Sequence, residues 1–324
     1  MSDLKSFDVE QAMAEIKNIE NKYKELLCVR DNELSLKKSE NEELRKALEE
    51  VQTLVKLYRK QNDEKIIKLQ SENEKMCNMI ENYEKLLKED KKMGFNGKLK
   101  AVTFSYDDGI TQDRRLIKLL NKYGLKCTFN INSGRFLKAG PISVSGVIVP
   151  HVCVKKEEVK GIYEGHEIAV HTVTHPNLAL LSDEEIIREV EDDRIALSEI
   201  AGYEVVGMAY PGGTPSMNDH VAKVIAENTG VKYARTTTPT FNFEPQTDLF
   251  AFNPTLHQHM DMDRMFQMAK DFIRSEADSP KIFYIWGHAY ELDARDDWDK
   301  LEKFFELISG HDDIFYGTNK EILL

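Results

Sequence analysis

The sequence predicts an α/β domain, a (β/α) barrel or an open α/β sheet, preceded by a long N-terminal α-helical coiled coil. Three observations predict it. All 17 glycines and all nine prolines of the 324 residues lie at or after Gly94. The 93 residues before that point place apolar side chains at heptad spacing. Beyond it, short apolar runs alternate with amphipathic stretches.

The first segment, residues 1–93, is rich in Glu, Lys, Leu and Asn and contains no helix breaker, which favours helix throughout. With Met13 at position a, later a positions take Leu27, Leu34, Leu48, Val55, Leu69, Met76 and Tyr83. Position d takes Ile16, Tyr23, Leu44, Val51, Tyr58, Met79 and Leu86. Asn41 and Asn62 at a favour a parallel two-stranded register, because facing amides bond each other across the seam. A homodimer is therefore the expected partner state. Arg30, Lys37, Lys65 and Glu72 at d weaken the seam, and a single solvated helix is the alternative.

Residues 94–99 read as a linker, and residues 100–324 as the catalytic domain. Strands are expected over 100–105, 126–132, 166–172, 205–210, 233–237, 249–254, 281–286 and 314–316. Helices are expected near 111–123, 155–164, 182–201, 217–228, 261–277 and 297–309, with Ser182 and Glu185 forming a capping box. This order implies parallel strands joined by helical crossovers.

Composition narrows the function. The chain carries −12 formally. Residues 1–97 hold 19 basic and 21 acidic side chains, and residues 98–324 hold 25 and 35, so the catalytic part carries −10. That balance speaks against nucleic acid and anionic membranes and for a neutral or cationic substrate. No run of apolar residues is long enough to span a bilayer. The N-terminus lacks a signal-peptide core, and Cys28, Cys77, Cys127 and Cys153 form no C-x-x-C pair. The expected location is the cytoplasm, with reduced thiols.

In parallel α/β folds, ligands collect at the carboxyl ends of the strands. Those ends carry Asp107-Asp108-Gly109, His171-Thr172-Val173-Thr174-His175, Pro211-Gly212-Gly213, His257-Gln258-His259 and Gly287-His288. Each alone is an ordinary strand-end turn; their convergence argues for a metal site. A mononuclear hydrolytic ion wants about three protein ligands and an open position for water. Asp108, His171 and His175 supply that set. Asp107 is then placed as the base for the water, and His288 as the acid for a leaving amine. His151, His220 and His311 carry no signal.

These residues resemble the polysaccharide deacetylase family, the NodB-homology or family 4 carbohydrate esterases. TFSYDDG at 103–109 is similar to its first motif, and HTVTH at 171–175 to its second. The resemblance covers about residues 99–324 and implies a distorted (β/α) barrel. It also implies a divalent cofactor, Zn²⁺ first, with Co²⁺, Ni²⁺ or Fe²⁺ as alternatives. Asp107 would be the base, and Asp108, His171 and His175 the ligands. The third motif departs from the family: Ala209 stands where the family has arginine, and Gly212 where it has an aromatic residue. The Gly212 N–H is still expected at the oxyanion, and Arg235 is expected to replace the arginine in space. The fourth motif is not legible. In the fifth, Trp286 precedes His288 and is expected to line the acetyl pocket. His257 is expected to meet substrate. The pairs His166-Glu167 and Tyr290-Glu291 read as supporting groups or as ordinary strand-end residues.

The expected function is metal-dependent removal of acetyl groups from N-acetylated sugars or their oligomers and polymers. A metal-dependent hydrolase of another non-peptide C–N bond is the alternative, and a coiled-coil scaffold with an inactive barrel the third reading.

Overall fold

A computed structural model describes residues 13–19, 45–50, 52–53, 72–80, 94–213, 216–259 and 262–324. The chain divides into two units, Met1–Met93 with Leu324, and Gly94–Leu323. In the first, the described residues are helical. Ile16, Ala47, Met76 and Ile80 are buried within a single copy of the chain. Most of the heptad repeat lies outside the described residues. Among the described residues, no helix is long and apolar enough to cross a membrane, and Cys77, Cys127 and Cys153 are free thiols.

The second unit is a curled parallel sheet with helices on its outer face. Its strands are β1 (Lys100–Asp107), β2 (Cys127–Ile131), β5 (Glu167–Val170), β6 (Gly207–Ala209), β7 (Tyr233–Arg235), β8 (Leu256–His257), β9 (Lys281–Gly287) and β10 (Ile314–Tyr316). They run in the order β7-β6-β5-β2-β1-β9-β8, with β10 also on β1, and every pairing is parallel. A separate antiparallel hairpin, β3 (Ala139–Val144) and β4 (Val147–Val152), stands off the sheet.

Strand β1 shows why the curl forms. All its residues are buried, as a central strand covered on both faces requires. Its period of two sends Val102, Phe104 and Tyr106 into the main apolar core beneath the helices. Phe104 meets Phe304 and Phe305 edge-on, at 6.4 and 5.1 Å between ring centroids. Those two residues lie on helix Trp298–Ile308. The alternate set, Thr103, Ser105 and Asp107, faces the inside of the curl. There Thr103 Oγ1 donates to Asn319 Oδ1 at 2.8 Å, and Asn130 Nδ2 donates to Ser105 Oγ at 2.8 Å. A polar interior thus leads up to Asp107 at the carboxyl end of the strand.

The expected strands and helices fall within a few residues of the observed ones, with several differences; strand β8 and helices Ala289–Arg295 and Asn319–Leu323 were not expected, and three further differences bear on the site. Over 249–254 there is a 3₁₀ turn, Leu249–Ala251, followed by extended chain. Phe252 bridges to Arg235 of β7, and the Thr255 N–H donates to Tyr284 O at 2.8 Å, so this stretch links β7 to β9 and narrows the opening of the sheet. The helix expected over 182–201 contains a π turn at Arg188–Asp192 between α-helices Asp183–Ile187 and Asp193–Ala201. The hairpin β3–β4 was not expected, although VSGV holds its signal. Ser145 and Gly146 both take positive φ, 50° and 87°, between two extended runs, as a two-residue hairpin turn demands.

Candidate active site

The carboxyl ends of β1, β5, β6, β8 and β9 open into a cavity of about 700 Å³. It is lined by Asp107, Asp108, His171, His175, Gly212, His257, Trp286 and His288 among others. Eight of the nine expected site residues therefore share one cleft. The ninth, Arg235, lies directly beneath it.

Arg235 is fully buried. Its Nη2 lies 2.6 Å from both Asp107 carboxylate oxygens, and its guanidinium carbon sits 4.4 Å over the Trp286 ring. Asn130 Nδ2 donates to Asp107 Oδ1 at 2.8 Å. Burial alone would push the Asp107 pKa up; the charges of Arg235, then His171 and His288, outweigh it and hold the group below its ordinary value. Ala209 carries no such side chain. Its carbonyl instead accepts from His171 Nδ1 at 2.8 Å. A carbonyl only accepts, so Nδ1 bears the proton and Nε2 presents its lone pair to the cleft.

That lone pair meets Asp108 and His175. His171 Nε2 is 3.8 Å, and His175 Nε2 3.7 Å, from Asp108 Oδ1. These separations are too long for hydrogen bonds and suit donors that share one ion. Asp108 Oδ1 is buried with no hydrogen-bond partner, which a cation would satisfy. Burial, then the neighbouring His171, pushes His175 down to about 4, so it is neutral and free to ligate. One carboxylate and two imidazoles, with their facing atoms this close together, fit a divalent ion.

The backbone at this point is unusual. Asp108, Thr172 and His175 have φ of 80°, 68° and 66°, a region that a β-branched threonine rarely adopts. Surrounding bonds hold it there. Asn132 Nδ2 donates to the carbonyls of His171 and Thr172. Asp193 accepts from the Ser133 N–H at 2.7 Å and the His171 N–H at 3.0 Å. The π turn brings the Glu189 carbonyl to the Val173 N–H at 2.9 Å, while its carboxylate takes the Thr174 N–H and hydroxyl at 2.8 and 2.7 Å. Its extra residue thereby anchors the loop that presents both histidines.

One group escaped sequence reasoning. His151, on β4, places Nε2 3.0 Å from Asp108 Oδ2, which leaves Oδ1 to face the other histidines. Reading the VSGV turn would have put His151 on a strand returning to the cleft. Glu291, which the sequence left as either a supporting group or an ordinary strand-end residue, lies on helix Ala289–Arg295. It accepts from the His288 N–H at 3.1 Å, its Oε1 is 3.2 Å from His288 Nδ1, and its Oε2 is 3.1 Å from His257 Nε2. These three residues also make a compact group of potential ligands; His288 Nδ1 is within hydrogen-bond reach of Glu291, whereas His257 Nε2 lies at ion-pair distance from it without a hydrogen bond. Burial pulls the His288 pKa down, yet the charge of Glu291, then Asp108 and Asp107, raises it to about 9. His288 is thus an imidazolium at neutral pH, with Nε2 4.0 Å from Asp107 Oδ2. His257 stacks on Trp286, 4.2 Å between centroids. His166 and Glu167 lie at the opposite end of β5, where Glu167 accepts from Thr128, Tyr233 and the Lys320 N–H. They play no part in the cleft.

Fold and residue set together place a group suited to one divalent ion at the carboxyl ends of the strands. Residues 95–234 match the model of the family described as polysaccharide deacetylase. The match includes Asp107, Asp108, His171 and His175 and ends before Arg235. The structure is similar to a Streptococcus pyogenes deacetylase solved with acetate, at 21% identity and a TM-score of 0.38 over 46% of this chain. The chain spans 61% of that protein's length. It is also similar to a carbohydrate esterase domain of a multidomain xylanase from the hindgut metagenome of Trinervitermes trinervoides (16% identity, TM-score 0.45, 69% of this chain and 89% of that one). A third likeness is a family 4 pseudoenzyme from Bacillus anthracis (17% identity, TM-score 0.41, 69% and 66%). A comparison with curated proteins finds no match.

Arg235→Ala would leave Asp107 buried with its main counter-charge gone. Breaking a buried pair costs about 3–5 kcal/mol, to be read by urea unfolding. The same substitution in an Asp107→Asn background should cost clearly less. A base freed from Arg235 has a higher pKa, so the acid limb of the pH–rate profile should move to higher pH. Equal costs in both backgrounds, or an unmoved limb, would contradict this account.

Proposed function

We propose that the domain is a metal-dependent deacetylase that hydrolyses the acetamido group of N-acetylated sugars or their oligomers. The observation that carries this reading is the convergence of three sets of groups in one cleft. Asp108, His171 and His175 are spaced for one ion; Asp107 is an ionised carboxylate beside them; His288 is a charged imidazole facing Asp107.

Zn²⁺ is the proposed ion, with Co²⁺, Ni²⁺ and Fe²⁺ as alternatives; when bound, it polarises the carbonyl and acidifies water. Asp107 accepts the proton of the attacking water. Arg235 keeps that carboxylate ionised and fixed, so its basicity is modest and its orientation is what it contributes. His288 gives its proton to the departing amine, leaving acetate and a free amino sugar. Glu291 keeps His288 charged until then. Trp286, stacked with His257 and over Arg235, offers an apolar wall for the acetyl methyl, and the Gly212 N–H is the proposed donor to the carbonyl oxygen as charge develops there. Free thiols at Cys127 and Cys153 suit a cytoplasmic location.

Acetate release from a panel of N-acetylated mono- and oligosaccharides with Zn²⁺ or Co²⁺ tests the reading. Asp107→Asn should lower it about 100-fold or more. Metal bound without release from any sugar would favour another C–N substrate; neither metal nor release would favour the N-terminal segment as the working part.

The rate should fall as pH rises through the His288 pKa, because the acid must be protonated. Glu291→Gln removes the main charge that raises this pKa. The basic limb should therefore move to lower pH by about one unit or more. A limb that stays in place would show that another group supplies the proton.

For residues 1–93 we propose a parallel homodimeric coiled coil. Sedimentation should give a dimer for the full chain and a monomer for residues 94–324. Monomers for both would exclude it.

A further inference from the structure

We propose that the cleft selects acetamido sugars that also carry an anionic group, a carboxylate or a phosphate, and that Arg135 and Lys138 hold it. This rests on the deacetylase reading for the acetyl group and adds a second point of recognition.

Arg135 ends the 3₁₀ turn Ser133–Arg135 after β2, and Lys138 follows just before the hairpin. Both line the cavity together with Asp108, His151, His175 and Tyr290. Among the described residues neither side chain has a carboxylate or carbonyl partner, and Arg135 Nε is buried with no hydrogen bond at all. Arg135 is half-buried and Lys138 exposed at the cavity rim, whereas the more deeply buried cations of this domain each have a carboxylate. Lys100 meets Asp313 at 2.7 Å, Arg194 meets Glu191 at 2.6 Å, and Arg235 meets Asp107 at 2.6 Å.

The acids of the cleft do not answer these two charges, because each is already matched. Asp107 faces Arg235, Asp108 faces His151, and Glu291 lies between His257 and His288. Arg135 is close enough to bear on both His175 and Tyr290, which puts its charge beside the proposed ligand loop. Leaving a partly desolvated guanidinium unpaired is costly unless a ligand completes it. A planar guanidinium suits the paired oxygens of a carboxylate or phosphate, and the flexible Lys138 ammonium adds a second charge. A domain that is acidic as a whole repels anions in general, so this local pair would admit an anion only at one position in the cleft.

The test compares N-acetylglucosamine, N-acetylmuramic acid and N-acetylglucosamine 6-phosphate. We expect kcat/KM for at least one anionic sugar to exceed that of the neutral one by about tenfold or more, and Arg135→Gln to reduce this ratio by about tenfold. Lys138→Gln should reduce it less. The better of the two anionic sugars identifies the group recognised. Equal use of neutral and anionic sugars, or a ratio unmoved by both substitutions, would overturn the proposal while leaving deacetylation intact. Calorimetric binding of the same three sugars gives a readout independent of turnover. Anion-dependent binding that is lost in Arg135→Gln, with no acetate released, would uphold the anion site and sink the deacetylase reading. Binding that ignores the anionic group would sink the site.

Discussion

The buried ion pair between Arg235 and Asp107 is the interaction on which the cleft depends. The two residues end β7 and β1, which are separated in the sheet by β6, β5 and β2. Only a sheet curled on itself brings those ends together, so the pair spans the inside of the curl. Each charge is removed from water, and each would be costly there without the other. Trp286 lies against the guanidinium and carries the geometry on to β9 and thus to His288. One contact therefore links the proposed base, the acetyl wall and the strand that delivers the proposed acid.

The ligand residues follow the same logic of position through partners. Each is oriented by a group that is not itself a ligand: Ala209 O on His171, His151 on Asp108, Thr172 Oγ1 on the His175 N–H. The strained backbone at Asp108, Thr172 and His175 survives because Asn132, Asp193 and Glu189 hold the loop from three sides. Below the site, Asn319 and Lys320 close the lower end of the curl through Thr128 and Glu167. The interior mixes these polar groups with a small apolar cluster of Ala101, Phe252, Ile282, Tyr284 and Ile322, and the proposed site is confined to the carboxyl ends of the strands.

Charge has to be read locally. The sum of −10 over residues 98–324 pointed to a neutral or cationic substrate. In the folded domain Asp107, Asp108 and Glu291 each have a cation or imidazole beside them, whereas Arg135 and Lys138 line the cavity with no carboxylate partner among the described residues. A sum over sequence cannot register that cancellation, because it depends on which charges meet.

By itself, the sequence determined the alternation of strands and helices, the boundary near Gly94, and the strand ends that would carry Asp107, Asp108, His171, His175 and His288. These are local properties: glycine and proline placement, apolar period, and motifs of adjacent residues. Arg235 was reachable because a missing arginine at Ala209 called for a substitute at a neighbouring strand end. Tertiary structure alone decided that His151 reaches Asp108 across the hairpin, that Glu291 takes His257 and His288 together, and that a π turn aims Glu189 and Asp193 at the ligand loop. It also decided that Glu167, so close in sequence to His171, belongs to the far end of the curl. Apart from Glu291 and His288, three positions apart, these contacts join residues from 15 to 153 positions apart, and no local pattern records them. Only the closure of the curl brings them within bonding distance.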